Sequence, residues 1–481
     1  MGGSRDFRTD GVPGLSPGAH GLAGAAMRAG LATQYPTASI PNWRGRFGGT
    51  PDRSQPPVGA FALAKIHARF QDPALVEESL PALERWHGFW KTLKGGHPRR
   101  DGNGDGLFEW GSDAENISST PPPWEVDASG RQRAAWESGQ DDLPNWEEAR
   151  WVDETETLDM ACVDLNSYLA MDIEALAYLN HQVGQQEKAR GYREDWTRLR
   201  DRMNETLWNP QRGLYLDRKW SGEWSPRVAA SNFLPLAAGI PEPDQARLML
   251  ETLTDPEWFW GDYILPTISR NDPLFPEQQY WRGTIWPPMN YLIYQGLKRY
   301  AFDQVAGKLA SRSVALFLRS WREYQLCREN YDSRTGEGGG QRYQSWGPLF
   351  ALMGLEEFLD VTPWAGLTVG SLTPPGETTL RRIQALGRRW TVALTPQGLR
   401  LDADGRTVLA SDAPVVLRGL EATEGLVEFQ AHSTGPVGIR VEHVPEPRSV
   451  RVDGVPVTPK GVWIRLEAGN HRVRIEARSR G

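Results

Sequence analysis

Two acidic motifs, each set among aromatic and small residues, carry the clearest chemical signal in the chain. Residues 136–142 read WESGQDD, and residues 328–332 read RENYD. Hydrolysis of a glycosidic bond needs two carboxyl groups on opposite faces of a sugar. One protonates the leaving oxygen, and the other activates water or attacks the anomeric carbon. The motifs therefore predict Asp141 and Glu329 as a catalytic pair, with a turn or capping role for Asp141 and an ion pair to Arg328 for Glu329 as the structural alternatives.

An acidic loop, DGNGDGLFE at residues 101–109, has oxygen-bearing side chains at alternate positions. Such spacing lets several oxygens converge on one hard cation, as in the first half of an EF-hand loop. The twelfth position is Ser112 instead of the usual bidentate Glu, so a distant carboxylate would have to complete the shell. A metal-free loop of Asx turns is the alternative. The predicted structural calcium ligands are Asp101, Asn103, Asp105, the Leu107 carbonyl and Glu174.

Composition narrows the possible partners. The chain has 481 residues, 21 Trp, a net charge of -7 and no basic block, so nucleic acid is not an expected partner. Trp rings stack on sugars, although most must also fill the core. Only two Cys are present, and His never occurs at metal-ligand spacing, so neither a disulfide framework nor catalytic zinc is predicted. No organic cofactor is expected.

The elements that must position these motifs divide the chain into three parts. Residues 1–18 are Gly-rich and aperiodic and are predicted to be disordered. Residues 19–361 show paired helical segments joined by long aromatic loops, which is typical of a ring of helical hairpins. In residues 362–481 apolar and polar residues alternate in about eight short runs, with Asp-Gly turns between some of them. This pattern predicts an antiparallel β-sandwich with a structural or carbohydrate-binding role. The oligomeric state stays open.

Neither a membrane span nor a secretory signal is predicted. The apolar stretch near the start, residues 21–27, is short and Gly-rich, and it lacks the basic flank of a signal peptide. No run approaches the roughly 20 apolar residues that cross a bilayer. A cytoplasmic location is therefore the expectation.

Five segments together resemble glycoside hydrolase family 63 and, more distantly, the family 37 trehalases. They are DRSQPP (52–57), DGNGDGLFEWGSD (101–113), ESGQD (137–141), YWRGTIWPPMNY (280–291) and ENYD (329–332). The resemblance covers about residues 42–359, and VDLN (163–166) and LWNPQRGLYLD (207–217) add agreement. It looks closest to the bacterial branch that contains mannosylglycerate and glucosylglycerate hydrolases. It implies an all-α (α/α)6 barrel and an inverting mechanism.

The resemblance also implies roles for individual residues. Asp141 matches the general acid and Glu329 the general base of that family. Burial beside Trp136 and Trp146, with negative charge from Asp142 or Glu137, is expected to raise the pKa of the acid. For Arg53 the alternative is a buried guanidinium that pairs a carboxylate to hold its loop. The predicted sugar-binding residues are Arg53, Gln55, Trp43, Trp110, Asp113, Trp281, Arg282, Trp286 and Trp346.

Several departures from the family pattern stand in the sequence. The Trp-Asp segment that usually opens the barrel is replaced by SPGAHGLAGAAM at residues 16–27, so either another segment supplies that wall or the N-terminus is truncated. Gln140, Asp142 and Leu143 also differ from the usual residues. The predicted function is hydrolysis of a small α-glucoside or α-mannoside.

Rival functions are a sugar phosphorylase or epimerase on the same barrel, or a non-catalytic sugar-binding relative. A phosphorylase would replace the base with a phosphate pocket, and the retained carboxylate of ENYD argues against it. An epimerase would be expected to use His as its base, and neither acidic motif contains one.

Overall fold

The computed structural model describes residues 19–477, except residues 47, 95, 375, 424, 445–446 and 459–462. The segment predicted to be disordered, residues 1–18, lies outside these. Within the described ranges, none of the helices has both the length and the apolar character that crossing a bilayer requires.

The first part of the chain is helical. Its helices are α1 (Ala19–Leu31), α2 (Gly59–Phe70), α3 (Pro73–Lys91), α4 (Gly130–Ser138), α5 (Val163–Gln182), α6 (Gln186–Thr206), α7 (Leu234–Ala238), α8 (Pro243–Thr254), α9 (Pro287–Arg299), α10 (Asp303–Tyr324) and α11 (Leu349–Glu356). Five short 3-10 segments occur in the connections: Ala114–Asn116, Pro123–Glu125, Pro144–Glu148, Ala230–Phe233 and Phe275–Glu277.

These helices form an inner and an outer layer. Helices α2, α5, α7, α9 and α11 contact one another in succession. Helix α5 is buried along nearly its whole length, whereas α6, which packs against it, buries only Ala189, Leu199 and Met203. A helix that is buried all round belongs to the interior, and one with a single apolar stripe covers it. Helices α2, α5, α7, α9 and α11 therefore form the inner layer, and α3, α6 and α10 pack on its outer side.

Short two-stranded ribbons shape the loops between the helices. The antiparallel pairs are Arg44–Gly45 with Gly48–Gly49, Leu93–Lys94 with His97–Pro98, Trp151–Val152 with Thr157–Leu158, Met160–Ala161 with Arg218–Lys219, Trp208–Asn209 with Leu214–Tyr215, and Asn330–Tyr331 with Gly338–Gly339. The last pair directly follows Glu329, so this ribbon positions the predicted base.

The C-terminal part consists of thirteen described strands. They are β1 (Leu359–Thr362), β2 (Gly366–Val369), β3 (Thr378–Ala385), β4 (Arg388–Thr395), β5 (Gly398–Ala403), β6 (Arg406–Ser411), β7 (Val416–Ala422), β8 (Leu426–Ser433), β9 (Val437–Val441), β10 (Pro447–Val452), β11 (Val455–Pro456), β12 (Ile464–Leu466) and β13 (Gly469–Ala477). Every pairing among them is antiparallel, with strand orders β1-β2-β7-β8-β13-β10-β11 and β3-β4-β5-β6-β9-β12.

The two sheets share one core. Val392 and Leu401 from one sheet and Val427 and Phe429 from the other belong to the same apolar cluster, as alternation of inward-facing residues requires in a sandwich. Asp404 and Asp453 have positive φ angles of 51° and 53° and each precedes a glycine with positive φ, the backbone that a two-residue hairpin turn needs. The predicted Asp-Gly turns are confirmed.

A buried ion cluster joins the two parts of the chain. Asp303, at the start of α10, accepts a hydrogen bond of 2.6 Å from His432 and pairs with Arg418, both on strands of the sandwich. Burial opposes ionisation, but the charge of Lys298 and the bonds from His432 and Arg418 hold the pKa of Asp303 well below its usual range. The sandwich is thus tied to the outer helical layer.

Candidate active site

A cleft of about 540 Å³ opens between the end of α4 and the ribbon that follows Glu329. This volume lies within the range of about 300–1,000 Å³ that small-molecule sites occupy. The cleft is lined by Gln132, Trp136, Asp141, Asp142, Gln278, Gln279, Tyr280, Asn330, Gly339 and Gly340. A methyl group on Gly340 would lie 2.3 Å from Glu329 Oε2, so Glu329 contacts the cleft wall directly. The two predicted carboxyl groups therefore meet at one cleft.

Glu329 is held by hydrogen-bond donors. Its side chain is buried, its Oε2 accepts from the Gln341 backbone amide at 2.8 Å, and its Oε1 lies 3.4 Å from Gln344 Nε2. Its carbonyl accepts from Trp346 Nε1 at 3.0 Å. Donors on both carboxylate oxygens favour the charged form that a general base needs.

Asp141 is placed by the end of α4. The Ser129 side chain caps the start of this helix by accepting from the Gln132 amide, and Gly139, at φ 72°, ends it in the left-handed conformation. Asp141 then projects half-buried into the cleft, where its Oδ2 lies 3.3 Å from Tyr280 Oη. Its carbonyl accepts from Gln132 Nε2 at 3.2 Å. A proton donor at this position has access to a ligand in the cleft.

Buried amides anchor the loop around Asp141 from behind. Gln140 Nε2 donates to Asp164 Oδ2 at 2.7 Å, and Asn145 Nδ2 donates to Asp217 Oδ2 at 2.7 Å. The Gln140 carbonyl also accepts from Trp146 Nε1 at 2.8 Å. Gln140, which stands where an apolar residue is usual, thus has a hydrogen-bond partner in Asp164 of the VDLN segment. Burial, followed by the nearby charge of Asp217, raises the pKa of Asp164 to about 8.

This raised pKa predicts a specific pH dependence of stability. Between about pH 4 and pH 8 the folded chain binds a proton on Asp164 that the unfolded chain has released, so this group lowers the free energy of unfolding as pH rises. Asp164→Asn removes the titration while keeping the shape, and Gln140 can turn its amide to bond the new side chain. We expect urea unfolding of this variant to depend less steeply on pH from 5 to 8 than that of the wild type. An equal slope would contradict the assignment.

Glu137 joins three of the predicted motifs in the interior. Its two oxygens accept from the Ser54 amide at 3.0 Å, from the Gly111 amide at 2.8 Å, and twice from the Arg100 guanidinium at 2.8 Å. Arg100 in turn reaches Asp113 at 3.1 Å. The side chains of Glu137, Arg100 and Asp113 are all fully buried. This cluster explains why segments far apart in the chain assemble behind the acid.

Arg53 takes the structural role that the sequence left as its alternative. Only 2% of its surface is exposed, and its three nitrogens donate to Asn42, Asp52 and Glu125 at 2.7–2.9 Å. Its guanidinium carbon lies 5.2 Å from the centre of the Trp136 ring. Because its nitrogens already hold the loop, Arg53 supports the cleft residue Trp136 instead of presenting a free fork to a sugar.

Gln55 and Trp43 belong to the same support. The Gln55 amide is buried and donates to the Asn42 carbonyl at 2.6 Å, and Trp43 Nε1 donates to Glu125 at 3.2 Å. Neither lines the cleft described above. Both therefore act on the loop that carries Arg53.

Trp110 and Asp113 lie in the interior. Neither side chain is exposed, Trp110 Nε1 donates to Asp164 at 2.9 Å, and Asp113 pairs with Arg99 and Arg100. Burial opposes ionisation, but the charges of Arg100, Arg99 and Lys94 lower the pKa of Asp113. These contacts assign packing and charge compensation to residues that were predicted to touch sugar.

Three predicted wall residues are brought together. Trp281 and Trp286 stack with ring centres 4.0 Å apart and 14° between planes, and Trp346 lies 5.8 Å from Trp286. All three are buried and line an apolar cavity that adjoins Gly139 and Gln140. They form the apolar backing of the acid loop.

Arg282 faces three carboxylates. Its Nη2 lies 2.6 Å from Glu147, its Nε 3.5 Å from Asp142, and its Nη1 3.4 Å from Glu277. Asp142 also accepts from the Trp281 amide at 2.9 Å, and burial raises its pKa. Arg282 compensates charge beside the acid, and its predicted sugar contact stays a prediction.

The side chains of the acidic loop bond to the loop's own backbone amides and to Arg202. The Asp101 oxygens accept from the Asp105 and Gly106 amides at 2.9 and 3.0 Å, and Asp105 lies 3.5 Å from the Arg202 guanidinium. The Asn103 side-chain oxygen also accepts from the Asp105 amide, and Asp105 Oδ1 accepts from the Leu107 amide. Glu174 is engaged elsewhere by Arg299, through two contacts of 2.7 Å. In the described chain no three His, Cys, Asp or Glu side chains converge as metal ligands. The alternative of Asx turns accounts for these contacts.

The cleft also contains residues outside the predicted set. Trp136 precedes the ESGQD motif, Tyr280 opens the YWRG motif, and Gln132, Gln278 and Gln279 have no motif of their own. For Trp136 and Tyr280, the position beside or within a motif could have indicated that they line the cleft. The glutamines carried no such signal, because their role depends on how loops meet in space.

Gly340 offers a direct test of the base geometry. Its φ is 63°, and an added methyl group would lie 2.3 Å from Glu329 Oε2 and 2.7 Å from Glu329 Cβ. We expect Gly340→Ala to displace Glu329 and to lower kcat about 100-fold, the effect of misplacing a reacting group by about 1 Å. Gly184→Ala is the matched control, since Gly184 has φ 78° and open space around it. Similar activity of both variants would show that Glu329 is not the displaced group.

Comparison with known proteins agrees with this picture. Residues 22–347, more than half of the chain, match the family model described as mannosylglycerate hydrolase MGH1-like glycoside hydrolase domain. Mannosylglycerate hydrolase from Thermus thermophilus is 32% identical over 154 residues, covering 31% of this chain and 34% of the relative. Mannosylglycerate hydrolase MGH1 from Selaginella moellendorffii is 27% identical over 350 residues, 62% of this chain and 66% of the relative. The chain thus spans about a third and about two thirds of the length of these two relatives.

Solved structures share the fold. A GH63 mannosylglycerate hydrolase from Thermus thermophilus in complex with Tris has a TM-score of 0.58 at 20% identity, covering 73% of this chain and 92% of that one. Neutral trehalase Nth1 from Saccharomyces cerevisiae has a TM-score of 0.56 at 18% identity, covering 73% and 71%. The resemblance to family 63, and more distantly to trehalases, is confirmed. The chain belongs to the mannosylglycerate hydrolase MGH1-like glycoside hydrolase family.

Proposed function

We propose that the chain is an inverting, exo-acting α-glycosidase for a small α-glucoside or α-mannoside, with a glycosyl-glycerate as the first candidate. The observation that carries the proposal is the meeting of Asp141 and Glu329 at one cleft. The substrate class is supported by relatives named mannosylglycerate hydrolase and by a related structure in complex with Tris and D-glycerate.

The proposed reaction uses the two carboxyl groups in turn. Asp141 gives its proton to the glycosidic oxygen, and Glu329 takes a proton from the water that attacks the anomeric carbon from the opposite face. Asp141 is left ionised, Glu329 is left protonated, and exchange with solvent restores both. Inversion requires room for that water, so we expect a carboxyl separation of roughly 6.5–9.5 Å, whereas about 5–5.5 Å would indicate retention.

The proposal includes a closed (α/α)6 barrel. The succession α2, α5, α7, α9 and α11 supports a ring of inner helices, and the trehalase and GH63 structures support the same architecture. In such a ring the long loops gather at one end, where α4 and the Asn330–Tyr331 ribbon bring their carboxyl groups.

The test is turnover of mannosylglycerate, glucosylglycerate, trehalose, kojibiose, maltose and isomaltose, with the released anomer followed by NMR. We expect the β-anomer to appear first from one of these α-linked substrates, without any need for phosphate. First release of the α-anomer would overturn inversion, and a requirement for phosphate would indicate a phosphorylase. Ligand binding by calorimetry without turnover would indicate a sugar-binding protein.

A further inference from the structure

One segment contacts both sides of the cleft. Residues 278–285, called here the bridging segment, reach the acid side through three bonds. Tyr280 Oη lies 3.3 Å from Asp141 Oδ2, the Trp281 amide donates to Asp142 Oδ1 at 2.9 Å, and Arg282 Nε donates to the Asp142 carbonyl at 3.3 Å. The acid loop is therefore docked on this segment.

The same segment is bonded to the chain that carries the base. Gln278 Oε1 accepts from the Ser333 amide at 2.7 Å and from Ser333 Oγ at 3.0 Å. Ile285 and Tyr331 exchange both backbone hydrogen bonds, at 2.7 and 3.0 Å. Tyr331 and Ser333 lie two and four residues after Glu329. The base ribbon is therefore docked on the bridging segment as well.

The bridging segment has an unusual backbone. Gln278 and Tyr280 both have a φ angle of 48°, in the left-handed region that non-glycine residues rarely adopt. Gly283, at φ 99°, leaves space for the Gln278 amide, which would lie 2.5 Å from an added methyl group. Such strain persists only where contacts on several sides determine the conformation, and it concentrates at functional sites.

We infer that the bridging segment sets the separation between Asp141 and Glu329, with Gln278 as the positioning residue on the base side and Tyr280 on the acid side. The inference rests on the function proposed above. It deepens that proposal because the carboxyl separation decides between inversion and retention. Gln278 acts through Ser333 and the ribbon, and Tyr280 acts on Asp141 directly.

Substitutions at Gln278 test the base side. Gln278→Met keeps the length of the side chain but cannot accept from Ser333, whereas Gln278→Glu keeps the accepting oxygens. We expect the Met variant to lose roughly 10- to 100-fold in kcat with KM changed less than about threefold, because positioning affects the transition state more than binding. The Glu variant loses the donation from Gln278 Nε2 to the Phe275 carbonyl but keeps the acceptor for Ser333, so it should lose less activity than the Met variant.

Gln325→Met is the matched control. Gln325 is also a left-handed glutamine at a helix end whose amide donates to a helix carbonyl, and it lies outside the cleft. Its variant should match the wild type in kcat. Equal kcat for Gln278→Met, Gln278→Glu and the wild type would overturn the inference. Equal losses of kcat in Gln278→Met, Gln278→Glu and Gln325→Met would overturn it as well.

Tyr280→Phe tests the acid side through the pH profile of kcat. A phenol that donates to a carboxylate favours its charged form, and the proposed reaction needs the protonated acid. Removal of the phenol should raise the pKa of Asp141 and so move the alkaline limb of the kcat profile to higher pH. Because the hydrogen bond is long, at 3.3 Å, we expect the limb to move by only about half a pH unit. An unchanged limb would remove Tyr280 from the inference.

Crystal structures separate this inference from the proposed function. If the wild type turns over no substrate, the function fails, but the carboxyl separation can still be measured in the wild type and in Gln278→Met. We expect the separation to change by about 1 Å, the scale of displacement that matters for catalysis. An identical separation in both structures would overturn the inference, whatever the activity.

Discussion

Replacement of Glu329 by Gln should slow turnover by roughly 10²-fold or more, while leaving the fold intact. In the wild type the Gln341 amide donates to the Glu329 carboxylate at 2.8 Å, and the Gln side chain keeps an oxygen for this bond. Gln and Glu side chains also have nearly the same volume. It cannot take a proton from water, so kcat is expected to fall by roughly 10²–10⁴, the usual contribution of a general base. Thermal unfolding of the variant should match that of the wild type.

Asp141→Asn should cause a loss of similar size, but with a different dependence on the leaving group. A protonated acid is needed to expel an alcohol, whereas fluoride leaves without protonation. An α-glycosyl fluoride should therefore be hydrolysed by Asp141→Asn at a rate close to that of the wild type, and Glu329→Gln should show its full loss of activity on the fluoride as well.

The outcome of this pair of assays assigns both roles. Rescue of Glu329→Gln by the fluoride, with none for Asp141→Asn, would exchange the two assignments. Glu337→Gln serves as the control, because Glu337 is exposed on the same ribbon as the base and outside the cleft. Its kcat should stay within about twofold of the wild type, as for an ordinary surface substitution.

The sequence motifs predicted where the site lies better than they predicted which residues reach it. Asp141 and Glu329 come to one cleft, as the paired acidic motifs indicated. Arg53, from an equally strong motif, is buried against Asp52 and Glu125. A motif combines residues that touch a ligand with residues that hold those residues in place. The ion pair with Glu125 is what makes Arg53 a residue that holds others in place, and Glu125 belongs to none of the motifs.

The acidic loop illustrates a limit of spacing arguments. Oxygens at alternate positions are what a cation needs, but they are also what Asx turns need, since the same oxygens accept from backbone amides two residues on. Asn103 and Asp105 use theirs in the second way, and Asp101 accepts from the amides four and five residues on. Arg202 lies beside Asp105 and compensates its charge, and no local pattern places Arg202 there.

Local patterns predicted most of the fold. Apolar residues recur about every 3.6 residues in the helical part and every second residue in the sandwich. The two parts could be told apart because a helix or a strand with one buried face places its apolar residues at its own period. The helical spacing does not show that residues 230–238 divide into the 3-10 segment Ala230–Phe233 and the five-residue α7. Pro235 lacks an amide hydrogen and fits only the first turn of a helix, so a new helix begins beside it.

Arg100→Met is expected to be the most destabilising substitution among those considered. Arg100 compensates the buried carboxylates of Glu137 and Asp113, and its loss leaves charge without a partner in the interior. Removal of one member of such a cluster costs about 3–5 kcal/mol in free energy of unfolding. Urea denaturation measures it. Arg85→Met, which removes an exposed guanidinium, should change stability by no more than about 0.5 kcal/mol.

The pH dependence of this loss identifies its cause. Burial already raises the pKa of Glu137, and the charge and hydrogen bonds of Arg100 oppose that rise. Without Arg100 the pKa should rise further, so Arg100→Met should be destabilised less at pH 4–5, where Glu137 can bind a proton, than at pH 7. Adding Glu137→Gln should recover part of the loss at pH 7 and almost none at pH 4. A loss independent of pH and unrelieved by the second substitution would instead indicate a packing defect around Arg100. Because Glu137 bonds to Ser54 and Gly111 as well as Arg100, the first result would show that charge compensation holds together the motifs behind the acid.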